Sequence, residues 1–226
     1  MDELRLTLVT DRTQTRGRDL VALVVACLAA GLPAVQVREK DLSAADLAAL
    51  CRRLREPTRE RGALLIVNDR TDVALAVGAD AVQRTHASLS VADMRAIADC
   101  CSGGGEAGLN RGWPAPGGTR LRIGASVHSW QEAVSAEAEG ADWIVFGPIY
   151  DTASKRQYGA PQGLTKLERV VGAVKIPVIA IGGITPERVV EVRTAGAHGV
   201  AAISALLAAD SPAIATRRFL EALNAA

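Results

Sequence analysis

Short apolar segments recur along the chain at intervals of roughly 20 to 35 residues, and most of them end in polar residues. Segments of this kind, bounded by Gly, Pro or Ala turns, are typical of buried parallel strands. The predicted strands are Leu6–Asp11, Ala34–Glu39, Leu64–Asp69, Ala81–Thr85, Arg122–Val127, Trp143–Ile149, Pro177–Gly182 and Gly199–Ser204.

Segments rich in Ala, Leu, Arg and Glu, with helical spacing, alternate with these strands. They are Leu20–Ala30, Ala44–Glu56, Thr71–Val77, Val91–Asp99, Gln131–Glu139, Leu164–Val171, Pro186–Ala195 and Pro212–Asn224. Ser43, Ser129 and Thr185 precede three of them as N-caps. Strands buried on both faces and alternating with helices predict an α/β fold, a single (βα)8 TIM-barrel domain over residues 1–226. A doubly wound open sheet is the alternative, although it usually has fewer strands.

A Gly- and Pro-rich stretch, residues 102–119, separates the fourth predicted helix from the fifth strand. We interpret it as a flexible insertion at the N-terminal face of the barrel. Loops at that face seldom carry chemistry.

Composition and charge narrow the function classes. The chain has 226 residues, 49% of them hydrophobic, and its 26 Lys and Arg against 25 Asp and Glu give a net charge of +1. Without a long run of one charge, we expect small-molecule partners rather than nucleic acid or a membrane surface. No apolar stretch reaches the roughly 18 residues of a membrane span, so we expect a cytoplasmic protein. The sequence does not determine the oligomeric state, and a homo-oligomer stays possible.

The cysteines fit no zinc spacing and are interpreted as structural thiols. They are Cys27, Cys51, Cys100 and Cys101.

Polar residues close most of the predicted strands. In a parallel barrel these strand ends point toward one mouth, where active sites of this fold lie. Solvated strand ends would explain any one of these residues, but they explain the whole set poorly. The set comprises Thr10, Asp11, Arg12, Gln36, Arg38, Glu39, Lys40, Asn68, Asp69, Gln83, Thr85, His86, Ser126 and His128.

The last two strands predict a phosphate site. Backbone amides near helix starts bind anions, and the loops after strands seven and eight commonly hold phosphate in this fold. The residues concerned are Gly182, Gly183, Ile203 and Ser204. A tight turn alone would also account for the two glycines.

The loop after strand six carries Thr152, Ser154 and Lys155. Two hydroxyls beside a lysine predict a basic loop that closes over an anionic ligand. A merely solvated loop is the alternative.

On these residues the chain resembles the thiamin phosphate synthase/TenI family over nearly its whole length, apart from residues 102–119. The resemblance implies a barrel enzyme with one of two activities. One branch joins an aminopyrimidine pyrophosphate to a thiazole phosphate with Mg²⁺. The other, the TenI-type thiazole tautomerase, aromatises thiazole carboxylate phosphate by moving a proton. The motifs are Gln36–Lys40, Val67–Asp69, Ala74–Asp80, Ser126–His128, Glu139–Asp142, Phe146–Ile149, Ala180–Ile184 and Ala195–Val200.

The expected metal ligands separate the two branches. The resemblance implies a first Mg²⁺ carboxylate at Asp69 and a second at position 88, where this chain has Ser88. A hydroxyl is a poor substitute for a carboxylate on Mg²⁺, and the TenI-type branch shows the same loss. We therefore expect an isomerase without a cofactor, a thiazole tautomerase in which His128 transfers the proton.

Two alternatives are kept. The first is a Mg²⁺-dependent thiamin phosphate synthase, a transferase with Asp69 on the metal and pyrophosphate held by the basic and amide groups at strands two and three. Those residues are retained, with Gln36, Arg38, Lys40 and Asn68 in the set, and synthases can also carry a histidine at position 128. The second alternative is a non-catalytic binding protein for thiazole or thiamin phosphate. His86 is interpreted as an exposed loop residue, and His198 faces the opposite end of the barrel.

Overall fold

Eight parallel strands form a closed barrel in a computed structural model that describes residues 2–101, 120–151 and 161–226. Each strand pairs with the next along the chain, and the last pairs with the first. The strands are β1 Leu6–Val9, β2 Ala34–Val37, β3 Leu64–Asn68, β4 Ala81–Arg84, β5 Arg122–Val127, β6 Trp143–Phe146, β7 Val178–Ile181 and β8 Gly199–Ala202. The predicted barrel is confirmed. The predicted insertion, residues 102–119, lies outside the described part of the chain.

Helices cover the outside of the barrel. They are α1 Leu20–Ala29, α2 Ala44–Glu60, α3 Thr71–Ala76, α4 Val91–Cys101, α5 Trp130–Ala138, α6 Gly163–Ala173, α7 Val189–Thr194, α8 Ser204–Leu207 and α9 Pro212–Ala225. Ser43 and Ser129 cap α2 and α5 as predicted, accepting backbone N–H groups from Asp46 and Glu132. Within the described ranges, no helix is both long and apolar enough to cross a membrane.

The predicted ends of several elements are wrong. Strand β1 ends at Val9 and β2 at Val37. The Thr10 N–H still donates to the Gln36 carbonyl at 2.9 Å, but the Arg38 N–H donates to the Thr10 side chain, so backbone pairing stops there. Helix α2 continues through Pro57, where proline removes a backbone hydrogen bond but does not end the helix. The segment before α7 is a 3₁₀ turn, Pro186–Arg188, and the side chain of Thr185 does not cap it.

Side chains alternate between the interior of the barrel and the side that faces the helices. Outward side chains join the helices in a large apolar core, whereas inward side chains form a smaller cluster that includes Trp143. Strand register places Gln83 beside Gly124, and Gly124 beside Trp143. Toward the C-terminal strand ends the inward positions become polar, with Gln36, Asn68, Gln83 and Ser126. The barrel therefore has a polar mouth above an apolar base.

Two matching ion pairs hold the opposite end. Asp80, just before β4, accepts hydrogen bonds from a β3 backbone amide at 2.8 Å and from Arg55 Nη1 at 2.7 Å. Asp142, just before β6, accepts from a β5 backbone amide at 2.6 Å and from Arg95 Nη2 at 2.7 Å. Each carboxylate ties its strand to the preceding strand and to a helix.

Candidate active site

Four polar side chains line one wall of the mouth, on β2 to β5. Gln36 donates from Nε2 to Asn68 Oδ1 at 3.0 Å, and Gln83 donates from Nε2 to Ser126 Oγ at 3.1 Å. Gln36, Asn68 and Gln83 are buried, whereas Ser126 is partly exposed. The structure thus brings together the predicted residues Gln36, Asn68 and Ser126. Gln83 was predicted only as a polar strand end.

Two basic side chains continue this wall beyond β2. The backbone N–H of Arg38 donates to Thr10 Oγ1 at 2.9 Å, which carries the pairing with the β1 segment past the end of the ladder. Arg38 is half-buried and Lys40 is exposed. Both predicted residues therefore lie at the mouth end of β2, where an anionic ligand can approach them.

Asp69 lies at the end of β3 in the left-handed region, with φ of 68°. Its backbone N–H donates to the Gln83 carbonyl at 2.9 Å. Its Oδ1 accepts a hydrogen bond from Ser88 Oγ, and Ser88 Oγ accepts one from the backbone of Thr85 at 2.8 Å. In the part of the chain that the structure describes, no three or more His, Cys, Asp or Glu side chains are grouped to hold a metal. The group that the structure shows bonded to the Asp69 carboxylate is therefore the Ser88 hydroxyl.

His128 lies just beyond β5 and faces the end of β6. Its Nδ1 is 2.8 Å from the Gly147 carbonyl oxygen. Because a carbonyl only accepts, Nδ1 carries the hydrogen in the neutral ring and Nε2 is left as the acceptor. The Glu132 carboxylate accepts the His128 backbone N–H at 2.8 Å. His86 is exposed, and His198 lies just before β8, at the far end of the barrel.

The turn after β7 is built from two glycines in the left-handed region, with φ of 103° at Gly182 and 68° at Gly183. A Cβ on Gly182 would lie 2.6 Å from Pro148 Cα, so this position needs glycine for room as well as for conformation. After β8, Ile203 leads directly into α8, which begins at Ser204. Within the described ranges, the amides of Gly183 and Ser204 donate no hydrogen bond. The predicted phosphate residues therefore present backbone donors at one side of the mouth.

Arg188 stabilises this turn, and it was not identified from the sequence. Its Nη1 donates to the Gly183 carbonyl at 2.6 Å, and its guanidinium lies 4.3 Å from the centroid of the Tyr150 ring. The Tyr150 backbone N–H donates to the Gly182 carbonyl at 3.0 Å. Arg188 therefore ties the segment after β6 to the turn after β7. No sequence signal distinguishes it, because one partner is a backbone carbonyl, which every residue has, and the other, Tyr150, lies in a distant segment.

The predicted loop residues Thr152, Ser154 and Lys155 follow this segment in the chain. They lie outside the described residues, so their contact with an anionic ligand stays a prediction.

Comparison with known proteins identifies the family. The family profile described as thiamine monophosphate synthase matches residues 6–101 and 115–206. The chain belongs to this family. Thiamine-phosphate synthases of Moorella thermoacetica and Methanoculleus marisnigri are each 40% identical to it, over 210 and 221 residues. The matches cover 93% and 98% of this chain, and 91% and 96% of those synthases.

A solved structure gives the same result for this member of the thiamine monophosphate synthase family. The thiamine phosphate pyrophosphorylase of Pyrococcus furiosus is 34% identical, with a TM-score of 0.83. The match covers 99% of this chain and 97% of that one.

The prediction of a thiazole tautomerase, an isomerase of the TenI-type branch, is wrong. The relatives and the solved structure bear the names of synthases and a pyrophosphorylase, which favour the transferase alternative. The prediction gave too much weight to Ser88, since Mg²⁺ can bind through one carboxylate when the substrate supplies phosphate oxygens. The presence of His128 does not distinguish the two activities, because both branches of the family can carry a histidine at this position.

Proposed function

We propose that this chain is a thiamine-phosphate synthase, which joins an aminopyrimidine pyrophosphate to a thiazole phosphate and releases pyrophosphate. The observation that carries the proposal is a single mouth with two separate groups of residues whose basic, amide or backbone N–H groups can donate to anions. Arg38, Lys40 and Asn68 lie on the β2–β5 side, and the amides of Gly183 and Ser204 lie after β7 and β8. Joining two phosphorylated substrates requires both groups, whereas rearranging one phosphorylated substrate requires one.

The β7–β8 side is the proposed site of the thiazole phosphate. Backbone N–H groups held by turn geometry are fixed donors to an anion and need no reorganisation when it binds. The contacts of Arg188 and Tyr150 with the carbonyls of Gly183 and Gly182 hold the turn in place. We assign the phosphate to Gly182, Gly183, Ile203 and Ser204.

The β2–β5 side is the proposed site of the pyrophosphate. In the reaction the bond between the pyrimidine methylene carbon and the pyrophosphate oxygen breaks, and the thiazole nitrogen forms a new bond to that carbon. Negative charge therefore builds up on the leaving pyrophosphate. Arg38 and Lys40 stabilise this charge. Because Asn68 Oδ1 is occupied by Gln36, the Asn68 amide presents N–H groups to the ligand.

The residues at Asp69 fit a magnesium ion that is held largely by the substrate. Mg²⁺ keeps several waters and binds through one or two carboxylates together with phosphate oxygens. Asp69 supplies one carboxylate, and the hydroxyl of Ser88, which now bonds to it, lies next to the same position. When bound, the ion would neutralise charge on the leaving pyrophosphate. Arg38 and Lys40 would carry the remaining charge.

His128 is proposed to orient the pyrimidine rather than to transfer a proton. Its Nε2 is an acceptor, since Nδ1 donates to the Gly147 carbonyl. Gln36 Oε1 is a second acceptor, because the Nε2 of Gln36 donates to Asn68. An aminopyrimidine carries an amino group that can donate to such acceptors. These two acceptors would hold the amino group of the ring.

The proposal is tested by supplying purified protein with both substrates and Mg²⁺. We expect thiamin phosphate and pyrophosphate in equal amounts, and no product in EDTA. Arg38→Gln should lower kcat/KM by about 100-fold, because a charge aimed at the leaving group is lost. Arg59→Gln is the control, since Arg59 pairs with Glu56 on the surface of α2, and it should keep the wild-type rate. Absence of thiamin phosphate under these conditions would contradict the proposal.

A further inference from the structure

A chain of hydrogen bonds leads from the apolar base of the barrel to the mouth, and the function proposed above does not use it. Trp143 on β6 donates from Nε1 to Gln83 Oε1 on β4 at 3.1 Å. Gln83 in turn donates from Nε2 to Ser126 Oγ on β5 at 3.1 Å. Trp143 and Gln83 are each 1% exposed, so no solvent competes for the bond between them. The chain ends at Ser126, which is partly exposed at the mouth.

The chain has only one possible direction. An indole N–H donates and cannot accept, so it must meet the oxygen of the Gln83 amide. The amide nitrogen of Gln83 is then the atom that faces Ser126, and Ser126 Oγ must accept. A hydroxyl has a single hydrogen, and that hydrogen is therefore left to point away from Gln83. By fixing the orientation of the Gln83 amide, Trp143 thus determines that Ser126 Oγ accepts from Gln83 and donates its own hydrogen elsewhere.

Gly124 makes room for this contact. It lies between Gln83 and Trp143 in the strand register, on the inner face of β5. A Cβ at this position would overlap both Gln83 Oε1 and the Trp143 indole. Gly124 does not have the positive φ that favours glycine, so it is the space that requires glycine here. Three neighbouring strands are therefore fitted to one another around the bond between Trp143 and Gln83.

We infer that Gln83 is a positioning residue, which Trp143 holds so that Ser126 donates its hydrogen to a ligand group that can only accept. The ligand is named on the basis of the proposed function: Ser126 lies on the β2–β5 side, and an ionised pyrophosphate oxygen is such an acceptor. If the Gln83 amide were reversed, Ser126 would donate to Gln83 and turn lone pairs toward the anion. This relay, the hydrogen-bonded series Trp143–Gln83–Ser126, therefore favours an anionic ligand over a neutral donor on this side of the mouth.

The test compares Trp143→Phe and Ser126→Ala, alone and combined, in the full chain. The readouts are the affinity for inorganic pyrophosphate with Mg²⁺, measured by calorimetry, and KM for the aminopyrimidine pyrophosphate. Ser126→Ala should weaken binding roughly 10-fold, because a hydrogen bond to a charged group is lost. Trp143→Phe should weaken it roughly threefold, because the Gln83 amide can then adopt either orientation. In the Ser126→Ala background, Trp143→Phe should have no further effect on binding.

A merely structural role predicts a different result. If Trp143 and Gln83 only fill and satisfy the interior, Trp143→Phe will weaken binding equally with and without Ser126, and that result would overturn the inference. Trp130→Phe is the matched control. Trp130 begins α5 outside the barrel and stacks with Arg169 at 4.8 Å, so its replacement should leave pyrophosphate affinity unchanged.

Two further outcomes are separable. If Trp143→Phe does not fold, Gln83→Met takes its place, since it keeps the side-chain length and removes both polar atoms. Its effect on binding must likewise disappear in the Ser126→Ala background, or the inference is overturned. Wild-type protein that binds pyrophosphate but makes no thiamin phosphate would refute the proposed function, and the binding data would still decide the relay. If the wild-type protein does not bind pyrophosphate, the inference that Ser126 donates its hydrogen to a pyrophosphate oxygen is overturned.

Discussion

Ser88 occupies the position beside Asp69 at which the family resemblance implies a second carboxylate. Its hydroxyl donates to Asp69 Oδ1 and is held in turn by the backbone of Thr85. A carboxylate placed at position 88 would face the same oxygen. Two adjacent carboxylates repel each other without a cation, and they bind a shared Mg²⁺ more tightly than one does. The Mg²⁺ requirement of this chain should therefore depend on residue 88.

We expect Ser88→Asp to lower the Mg²⁺ concentration that gives half-maximal synthase activity by roughly 10-fold, because the ion gains a second carboxylate. Initial rates measured against free Mg²⁺ test this. Ser90→Asp is the control: it adds the same charge to the same loop, where Ser90 bonds to Asp93 rather than to Asp69. Identical Mg²⁺ curves for Ser88→Asp and the wild type would contradict a metal position at Asp69.

The placement of single polar residues could be predicted because parallel strands bring their ends to one mouth. Gln36, Asn68 and Ser126 were found in this way, and the structure places them on one wall. Their supports could not be predicted. Trp143 is 60 residues from Gln83 in the chain, and from the sequence it was given only as the start of a predicted strand. A hydrogen bond between distant segments leaves no trace in the local pattern.

At the level of elements, the sequence Gly-Ala-Asp precedes both β4 and β6, as Gly78–Asp80 and Gly140–Asp142. In both places the carboxylate accepts from the preceding strand and from a helix arginine. Before β8 the corresponding segment is Gly196–His198, which has no carboxylate. There Arg193 donates to the carbonyls of Ala197 and His198 instead. These contacts stabilise the described part of the N-terminal face.

Asp142→Asn should destabilise the fold by about 2 kcal/mol, because it leaves the Arg95 guanidinium, 11% exposed, without its counter-charge. Asp142 itself is 32% exposed, which keeps the cost below that of a fully buried pair. Urea unfolding gives the free energy. Asp99→Asn is the control, since Asp99 pairs with Arg120 on the surface and should cost under about 0.5 kcal/mol. Equal losses for the two variants would contradict a structural role for the Asp142 pair.

Boundaries of elements were predicted less well than their order. Hydrophobic periodicity marks the buried middle of a strand or helix, but the ends depend on tertiary contacts. Strand β2 ends at Val37 because the backbone beyond it bonds to the Thr10 side chain instead of continuing the ladder. The short helix α8, Ser204–Leu207, was not predicted, since four residues are too few to show a helical period.

For the whole molecule, eight buried strands alternating with helices favoured a closed barrel over the open sheet that was kept as the alternative. Eight buried strands in an open sheet would leave two edges with unpaired backbone groups, and the barrel removes them by pairing β1 with β8. The reaction could not be predicted in the same way. The prediction of the reaction depended on one position, Ser88, where the family resemblance implies a carboxylate. The relatives that match nearly the whole chain favour the synthase.

The stability of the whole molecule should fall at alkaline pH through its buried thiols. Cys51 on α2 is fully buried in the core, and burial raises the pKa of its thiol to about 12. Burial also raises the pKa of Cys27. In the unfolded chain such a thiol ionises near pH 8.5 to 9, about as free cysteine does. The unfolded state therefore loses its proton first as pH rises. A raised folded pKa contributes stability that is complete below the unfolded pKa and is lost between that value and the folded one.

We expect the contribution of Cys51 to fall by up to about 2 kcal/mol between pH 8 and pH 10.5. Lys and Tyr residues titrate in the same range, so the difference between variants is the useful quantity. Cys51→Ala loses packing at every pH, but its unfolding free energy should approach that of the wild type as pH rises. Cys100→Ala, at an exposed position on α4, should stay parallel to the wild type. Urea unfolding at pH 8, 9 and about 10.5 measures the three curves. Parallel curves for Cys51→Ala and the wild type would show that the Cys51 thiol ionises as readily in the folded barrel as in the unfolded chain.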